Sequence, residues 1–247
     1  FPYTTLFRSR TDLPDRRSRR SDRPALPAAD RGGGAVRGDR GEDRTLPEHA
    51  RAGAVGRAVR ARRLHHRRLR DRAGAAPILE LGCGIGKDTA ILVEAGFRVV
   101  ALDLSPRAIA RARAAVPQAE FHIRDLRAPF PVTAAEVGVI IASLSLHYFA
   151  WAETLALVER IRTTLRPRGA LLCRLNSTND HNYGAIGYPR IEDNYYLVQG
   201  EPKRFFNHMS IEALFATGWR MLSIAERVIQ RYSQPKVVWE VIVEREA

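Results

Sequence analysis

Cysteine, methionine and long apolar runs are all scarce in this 247-residue chain. Two cysteines, Cys83 and Cys173, are too few for a disulfide scaffold or a four-cysteine zinc site. No apolar run approaches the ~18–20 residues of a membrane-spanning helix, so no integral membrane protein is expected and a cytoplasmic location is. No cluster of potential ligands has metal-site spacing; outside the first third, His122, His147, His181 and His208 are scattered. The sharpest absences lie in residues 1–75. They contain no Lys, Ile, Asn, Gln, Met, Cys or Trp, and their aromatics are Phe1, Tyr3 and Phe7.

That first third holds 20 Arg against 9 acids, a net of +11, whereas residues 76–247 carry only +2. The formal charge of +13 therefore describes one segment, and the remainder is a near-neutral globular sequence. So little apolar surface cannot offset the ~1–2 kcal/mol per residue that backbone ordering costs, and residues 1–75 are expected to be disordered. The opening FPYTTLFRS resembles a translated sequencing adapter, and an Arg/Ala/Gly/Pro mixture is what GC-rich DNA yields in the wrong frame. Residues 1–75 are accordingly expected to be largely non-native, the chain a fragment, and the domain proper to occupy 76–247. A basic arm that binds nucleic acid by counterion release is the alternative. Residues 57–72 offer a basic helix with too few apolar positions for a buried face.

From residue 76 onward, strand-like and helix-like stretches alternate. Strands are predicted at 78–81, 97–103, 119–125, 136–144 and 170–175, and near 219–229 and 236–244. Helices are predicted at 87–96, at 106–116 behind a Ser105 cap with Pro106 at the first position, and at 151–165 with Leu155, Val158, Ile161 and Leu165 inward. A last helix, 211–217, would start at a Ser210 cap. Such alternation implies right-handed βαβ units and a mostly parallel sheet. The short Ser-Gln-Pro connection at 233–235 implies a closing antiparallel hairpin. The stretch 176–208 reads as a long loop rich in Asn and Tyr, suited to covering a small polar acceptor. It ends in Lys203 and Arg204, which could meet an anion or simply face solvent.

Glu80 to Gly86 reads ELGCGIG, between the first strand and the first helix. Glycines there let backbone N–H groups approach a ligand. The dinucleotide fingerprint G-x-G-x-x-G fails in both registers, because its third glycine would fall on Lys87 or Thr89. What remains is an acid followed by Gly82, Gly84 and Gly86 at alternate positions. Asp103 closes the second strand, Asp125 follows the third, and ASLSLHYF (142–149) follows the fourth.

In this order the motifs resemble those of class I S-adenosylmethionine-dependent methyltransferases over residues 78–247, loosely the small bacterial tellurite-resistance type. The resemblance implies a Rossmann-like α/β fold with a seven-stranded, mostly parallel sheet and a C-terminal antiparallel hairpin. It implies S-adenosyl-L-methionine as cofactor, held by Glu80, Gly82, Cys83, Gly84 and Gly86, with Asp103 on the ribose hydroxyls and Leu104 beside the adenine. Asp125 would meet the adenine amino group next to Leu126, and Ser143 would wall the methionine end. Helices usually precede the first strand in this family; here the arginine-rich segment stands in that position.

Methyl transfer from a sulfonium is an in-line displacement, so alignment and dehydration matter more than a protein nucleophile. His147, just past the fourth strand, is the first candidate for proton removal, with Tyr148 beside it. The expected partner is a small-molecule acceptor, with neither nucleic acid nor membrane. A non-catalytic S-adenosylmethionine-binding protein is the alternative from another class.

Overall fold

The computed structural model describes residues 69–230 and 233–247. Expectations for residues 1–68, including most of the basic helix at 57–72 and the nucleic-acid arm, lie outside the described residues. Strands β1 (Ile78–Leu81), β2 (Val99–Asp103), β3 (Glu120–Ile123), β4 (Val137–Ser143) and β5 (Leu165–Asn176) run parallel. Three strands, β6 (Arg190–Glu192), β7 (Tyr195–Val198) and β8 (Glu201–Arg204), form a separate antiparallel sheet. The chain then returns through β9 (Trp219–Ile229) and β10 (Lys236–Arg245), an antiparallel pair. The main sheet has the order β3-β2-β1-β4-β5-β10-β9, with β10 antiparallel to β5.

Among the described residues, helices α1 (Lys87–Glu94), α2 (Pro106–Ala115), α3 (Trp151–Thr164) and α4 (His208–Leu214) cover this sheet. Near-continuous apolar strands are what a sheet covered on both faces requires. Ile78, Val139, Ile141, Leu172 and Ile242 form one core with Leu92 of α1 and Ile109 and Ala112 of α2. Leu81, Ile140, Leu171, Cys173 and Val241 form the other with Leu157, Val158 and Ile161 of α3 and Ile211 of α4. Each fully buried Leu or Ile contributes about 1.5–3 kcal/mol. Helix α2 starts as its sequence dictates, with Ser105 Oγ accepting from Ala108 N at 3.2 Å and Pro106 at the first turn.

Residues 69–73 are helical, and Leu69 and Ala73 are buried against the α1/α2 core. The segment boundary expected at 75/76 therefore falls inside packed structure. Gly138 marks the contact: a Cβ there would lie 1.8 Å from the Arg72 carbonyl oxygen. Leu69 and Ala73, four residues apart, are enough of an apolar stripe to dock one turn.

Four local expectations are corrected. On α3 the buried positions are Thr154, Leu157, Val158, Ile161 and Thr164, while Leu155 is exposed. Leu165 already pairs with Val137 as the first residue of β5, and the Arg-Pro-Arg-Gly stretch is carried as an irregularity within that strand. Asn207, not Ser210, caps α4: Asn207 Oδ1 accepts from Ser210 N (2.8 Å), and Ser210 Oγ accepts from Asn207 N (2.9 Å). Ser210 is thus the third residue of a reciprocal capping box. The expected long loop at 176–208 contains the β6-β7-β8 sheet in its second half.

Candidate active site

The strand order reverses between β1 and β4, and ligands of open α/β sheets bind at such a switch point, beyond the carboxyl ends of the strands. Here the loops leaving β1 and β4 touch. A Cβ on Gly82 (φ +75°) would lie 2.4 Å from Ser145 Cβ, so only glycine lets the two loops close. Leu144, between β4 and Ser145, is itself in the left-handed region at φ 57°. For a leucine that conformation costs free energy of order 1 kcal/mol, and it turns the chain sharply at the site.

A cavity of about 610 Å³ opens at this place, lined among others by Gly82, Gly84, Asp103, Leu104, Asp125 and Leu126. Small-molecule clefts span roughly 300–1,000 Å³. Gly84 faces it differently from Gly82: with φ +55°, its missing Cβ would meet nothing within 4 Å. Gly86 is tight again, with Ala112 Cβ at 3.2 Å, which seats α1 against α2. The three glycines thus serve loop closure, open ligand space and helix packing, in that order.

Asp103 ties the loops together. Its Oδ2 accepts from Gly84 N (2.8 Å) and its Oδ1 from Ser105 N (2.9 Å). The carboxylate keeps free lone pairs on its cavity side, since each oxygen can accept twice. Glu80 is buried and accepts from Thr89 Oγ1 of α1 at 2.5 Å, so it braces the loop from behind. Cys83 is buried, and burial together with the Glu80 and Asp103 carboxylates pushes its thiol up; it is no nucleophile at neutral pH.

Both oxygens of Asp125 are engaged by Arg127, whose backbone N, Nε and Nη2 donate at 2.8, 3.1 and 2.7 Å. The Arg127 hydrogen bonds hold the Asp125 carboxyl below the usual carboxylate range. Arg127 also lies 6.0 Å over the Phe149 ring and is mostly exposed, so contact of Asp125 with an adenine amino group requires this guanidinium to turn outward.

The two candidates for proton transfer separate. Tyr148 is half-exposed and lines the cavity. His147 is buried with its ring 4.1 Å from that of Tyr148. Burial, with the Lys236 and Lys203 ammoniums, pushes its pKa down to about 3, which leaves a neutral and weakly basic imidazole. Ser143 is half-buried at the end of β4. Leu144, Ser145, Arg127, Phe149 and Glu201 also line the cavity and were not singled out from the sequence. The alternation Ser143-Leu144-Ser145 after an apolar strand was the available signal.

Arg204 is neither an anion-binding surface residue nor solvated. Its side chain is buried, paired with Glu192, and lies over the rings of Trp151 (5.5 Å) and Tyr195 (4.7 Å). It donates to the carbonyls of Phe149 and Asp193, both at 3.1 Å, and so fastens the small sheet to the start of α3.

A glycine loop, a carboxylate at the end of β2 and a cleft thus meet at the switch point of a doubly wound sheet. Residues 78–169 match the family model described as a methyltransferase domain. Trans-aconitate 2-methyltransferase of Azoarcus sp. is 41% identical over 108 residues, which covers 43% of this chain and 41% of that protein. The chain spans about two fifths of the length of the curated relatives it matches. An S-adenosylmethionine-dependent methyltransferase from Methanosarcina mazei superposes with a TM-score of 0.61 at 17% identity, over 69% of this chain and 92% of that one. A Burkholderia thailandensis 1,6-didemethyltoxoflavin-N1-methyltransferase, solved with its substrate and S-adenosylhomocysteine, gives 0.55 at 19%, over 83% and 93%. Residues 78–169 are thus similar to a methyltransferase domain, and the described part of the chain shares the fold of S-adenosylmethionine-dependent methyltransferases. No helix among the described residues is long and apolar enough to cross a membrane.

Proposed function

We propose that this chain transfers a methyl group from S-adenosylmethionine to a small-molecule acceptor. The observation that carries the reading is the open space in front of Gly84, inside a cleft that Asp103 borders. When bound, the cofactor supplies a methyl carbon whose bond to sulfur breaks, leaving the electron pair on sulfur as an acceptor lone pair bonds to carbon. Asp103 would take the ribose hydroxyls on its free lone pairs, and Leu104 and Leu126 would flank the adenine. The Gly82–Ser145 contact holds the two loops together beside the cleft. Tyr148, on the cavity wall, would orient the acceptor. His147 would act through Tyr148, because burial keeps its imidazole neutral and weakly basic. The names of the relatives that match this chain support an acceptor of small-molecule size.

The test is calorimetric titration of S-adenosylhomocysteine into the full chain and into Asp103→Asn, which keeps an oxygen for a backbone N–H but removes the charge. A loss of a charge-assisted pair of hydrogen bonds should weaken binding by about tenfold or more. Equal affinity would remove Asp103 from the site. Saturable binding without methyl transfer to any acceptor would favour the non-catalytic alternative.

A further inference from the structure

Among the described residues, four buried side-chain polar atoms have no hydrogen-bond partner: Ser143 Oγ, Ser145 Oγ, His147 Nδ1 and Asn176 Oδ1. All four belong to the carboxyl ends of β4 and β5 and the turn after β4. Buried orphans are rare and costly, and those left by imperfect packing would be scattered. The sheet face beneath them changes character at the same level. On the α1/α2 side it is apolar through Ile141, Leu172 and Ile242. Two residues further along each strand come Ser143, Arg174 and Glu240, then Asn176 opposite the apolar Val238, and beyond it Lys236; of the polar residues, all but Ser143 are buried.

The charges there are matched with one exception. Arg174 Nη2 pairs with Glu240 at 3.0 Å, and Lys236 Nζ with Asp180 at 2.7 Å. Lys203 has no ion pair among the described residues. It shares a face of β8 with Glu201, which lines the cavity, and its charge is felt at both His147 and Lys236. The orientation of Asn176 is fixed, because its Nδ2 donates to the Arg204 carbonyl at 3.3 Å; its Oδ1 is therefore an acceptor. The serine hydroxyls are free to donate.

We infer that these atoms are the acceptor subsite, and that it takes a small organic acid that also carries a hydroxyl or amino group. The carboxylate would face Lys203 and the hydroxyls of Ser143 and Ser145; the donor would face Asn176 Oδ1. The assignment rests on the methyltransferase reading above, which fixes where the cofactor lies.

The experiment uses the full chain saturated with S-adenosylhomocysteine. The probes are lactate, malate and citrate, each titrated beside its neutral amide. At least one acid should bind about tenfold or more tightly than its amide, as loss of a hydrogen-bonded charge implies. Lys203→Met and Ser145→Ala should each weaken that acid about tenfold, and Lys203→Met should leave S-adenosylhomocysteine affinity unchanged. Ser145→Ala should also raise the thermal midpoint of the ligand-free chain, because it deletes a buried orphan. Acids and amides that bind alike, an acid panel that does not bind, or variants without effect on acid affinity would each overturn the inference. Failure of S-adenosylhomocysteine itself to bind would instead overturn the underlying reading.

Discussion

Replacing Gly82 and Gly84 separately by alanine should separate folding from binding. Both residues sit at positive φ, 75° and 55°, where an L-residue costs roughly 1–2 kcal/mol. For Gly84→Ala that is the whole cost, since no atom lies within 4 Å of the new methyl. Against a typical stability of about 5–15 kcal/mol, the variant folds. For Gly82→Ala the new carbon falls 2.4 Å from Ser145 Cβ, an atom fixed by backbone. Overpacking adds about 1–3 kcal/mol, so the total reaches roughly 2–5 kcal/mol. At about 2–4 °C per kcal/mol for a domain of this size, Gly82→Ala should melt roughly 5–15 °C lower and Gly84→Ala only a few degrees lower. Calorimetry should then show S-adenosylhomocysteine binding lost in Gly84→Ala, because its methyl occupies cofactor space. A Gly84→Ala chain that binds like the parent would refute the placement of the cofactor, and an unchanged melting point for Gly82→Ala would refute the loop contact.

Two further perturbations follow. His147 titrates near 6.5 when unfolded and at about 3 when folded. Above pH 6.5 both states are neutral and nothing is at stake. Below it the unfolded chain binds a proton that the folded chain refuses, so stability falls with pH, by about 2 kcal/mol at pH 5. Unfolding curves of the parent and His147→Asn should therefore diverge in slope between pH 6.5 and 5; parallel curves would show that His147 is not buried neutral. Arg204→Met leaves Glu192 without its guanidinium. Breaking a fully buried pair costs about 3–5 kcal/mol, but Glu192 is 38% exposed and keeps the Trp151 N–H at 2.7 Å. A loss of roughly 2–3 kcal/mol in denaturant unfolding is expected, and a loss below ~1 kcal/mol would mean the clamp is ornamental.

The order of β1 to β5 and the closing antiparallel pair were legible because the strands carry short apolar stretches and each helix a local stop or cap. Gly82, Gly84, Asp103 and Asp125 were legible because their roles depend on backbone position, which spacing along the chain reveals. Ser145, Leu144 and Glu201 were not. They reach the cavity through a left-handed turn at Leu144 and through β8, a short strand paired only with its neighbour β7, and neither leaves a periodic trace. The β6-β7-β8 sheet was missed for a similar reason: its strands span three or four residues each, too short for alternation to stand out. Arg204 read as a surface cation because sequence shows charge but not the two aromatic rings and the carboxylate that surround it.

The joint between the small sheet and the main domain has an unusual currency. Tyr195 Oη donates to the Tyr148 carbonyl at 3.0 Å, Arg204 Nε to the Phe149 carbonyl at 3.1 Å, and Glu192 accepts from the Trp151 amide at 2.7 Å. On the insert's side these are side chains; on the host's side all three are main-chain atoms, which every sequence possesses. At these three anchors the host supplies shape, apart from the ring of Trp151; further back, before β6, it also supplies side chains, with Lys236 pairing with Asp180 and Glu226 accepting from Asn179. Residues 190–204 can therefore be exchanged between related domains with these three anchors travelling inside them, and the exchange would re-shape one wall of the cavity through Glu201 while leaving the glycine loop in place.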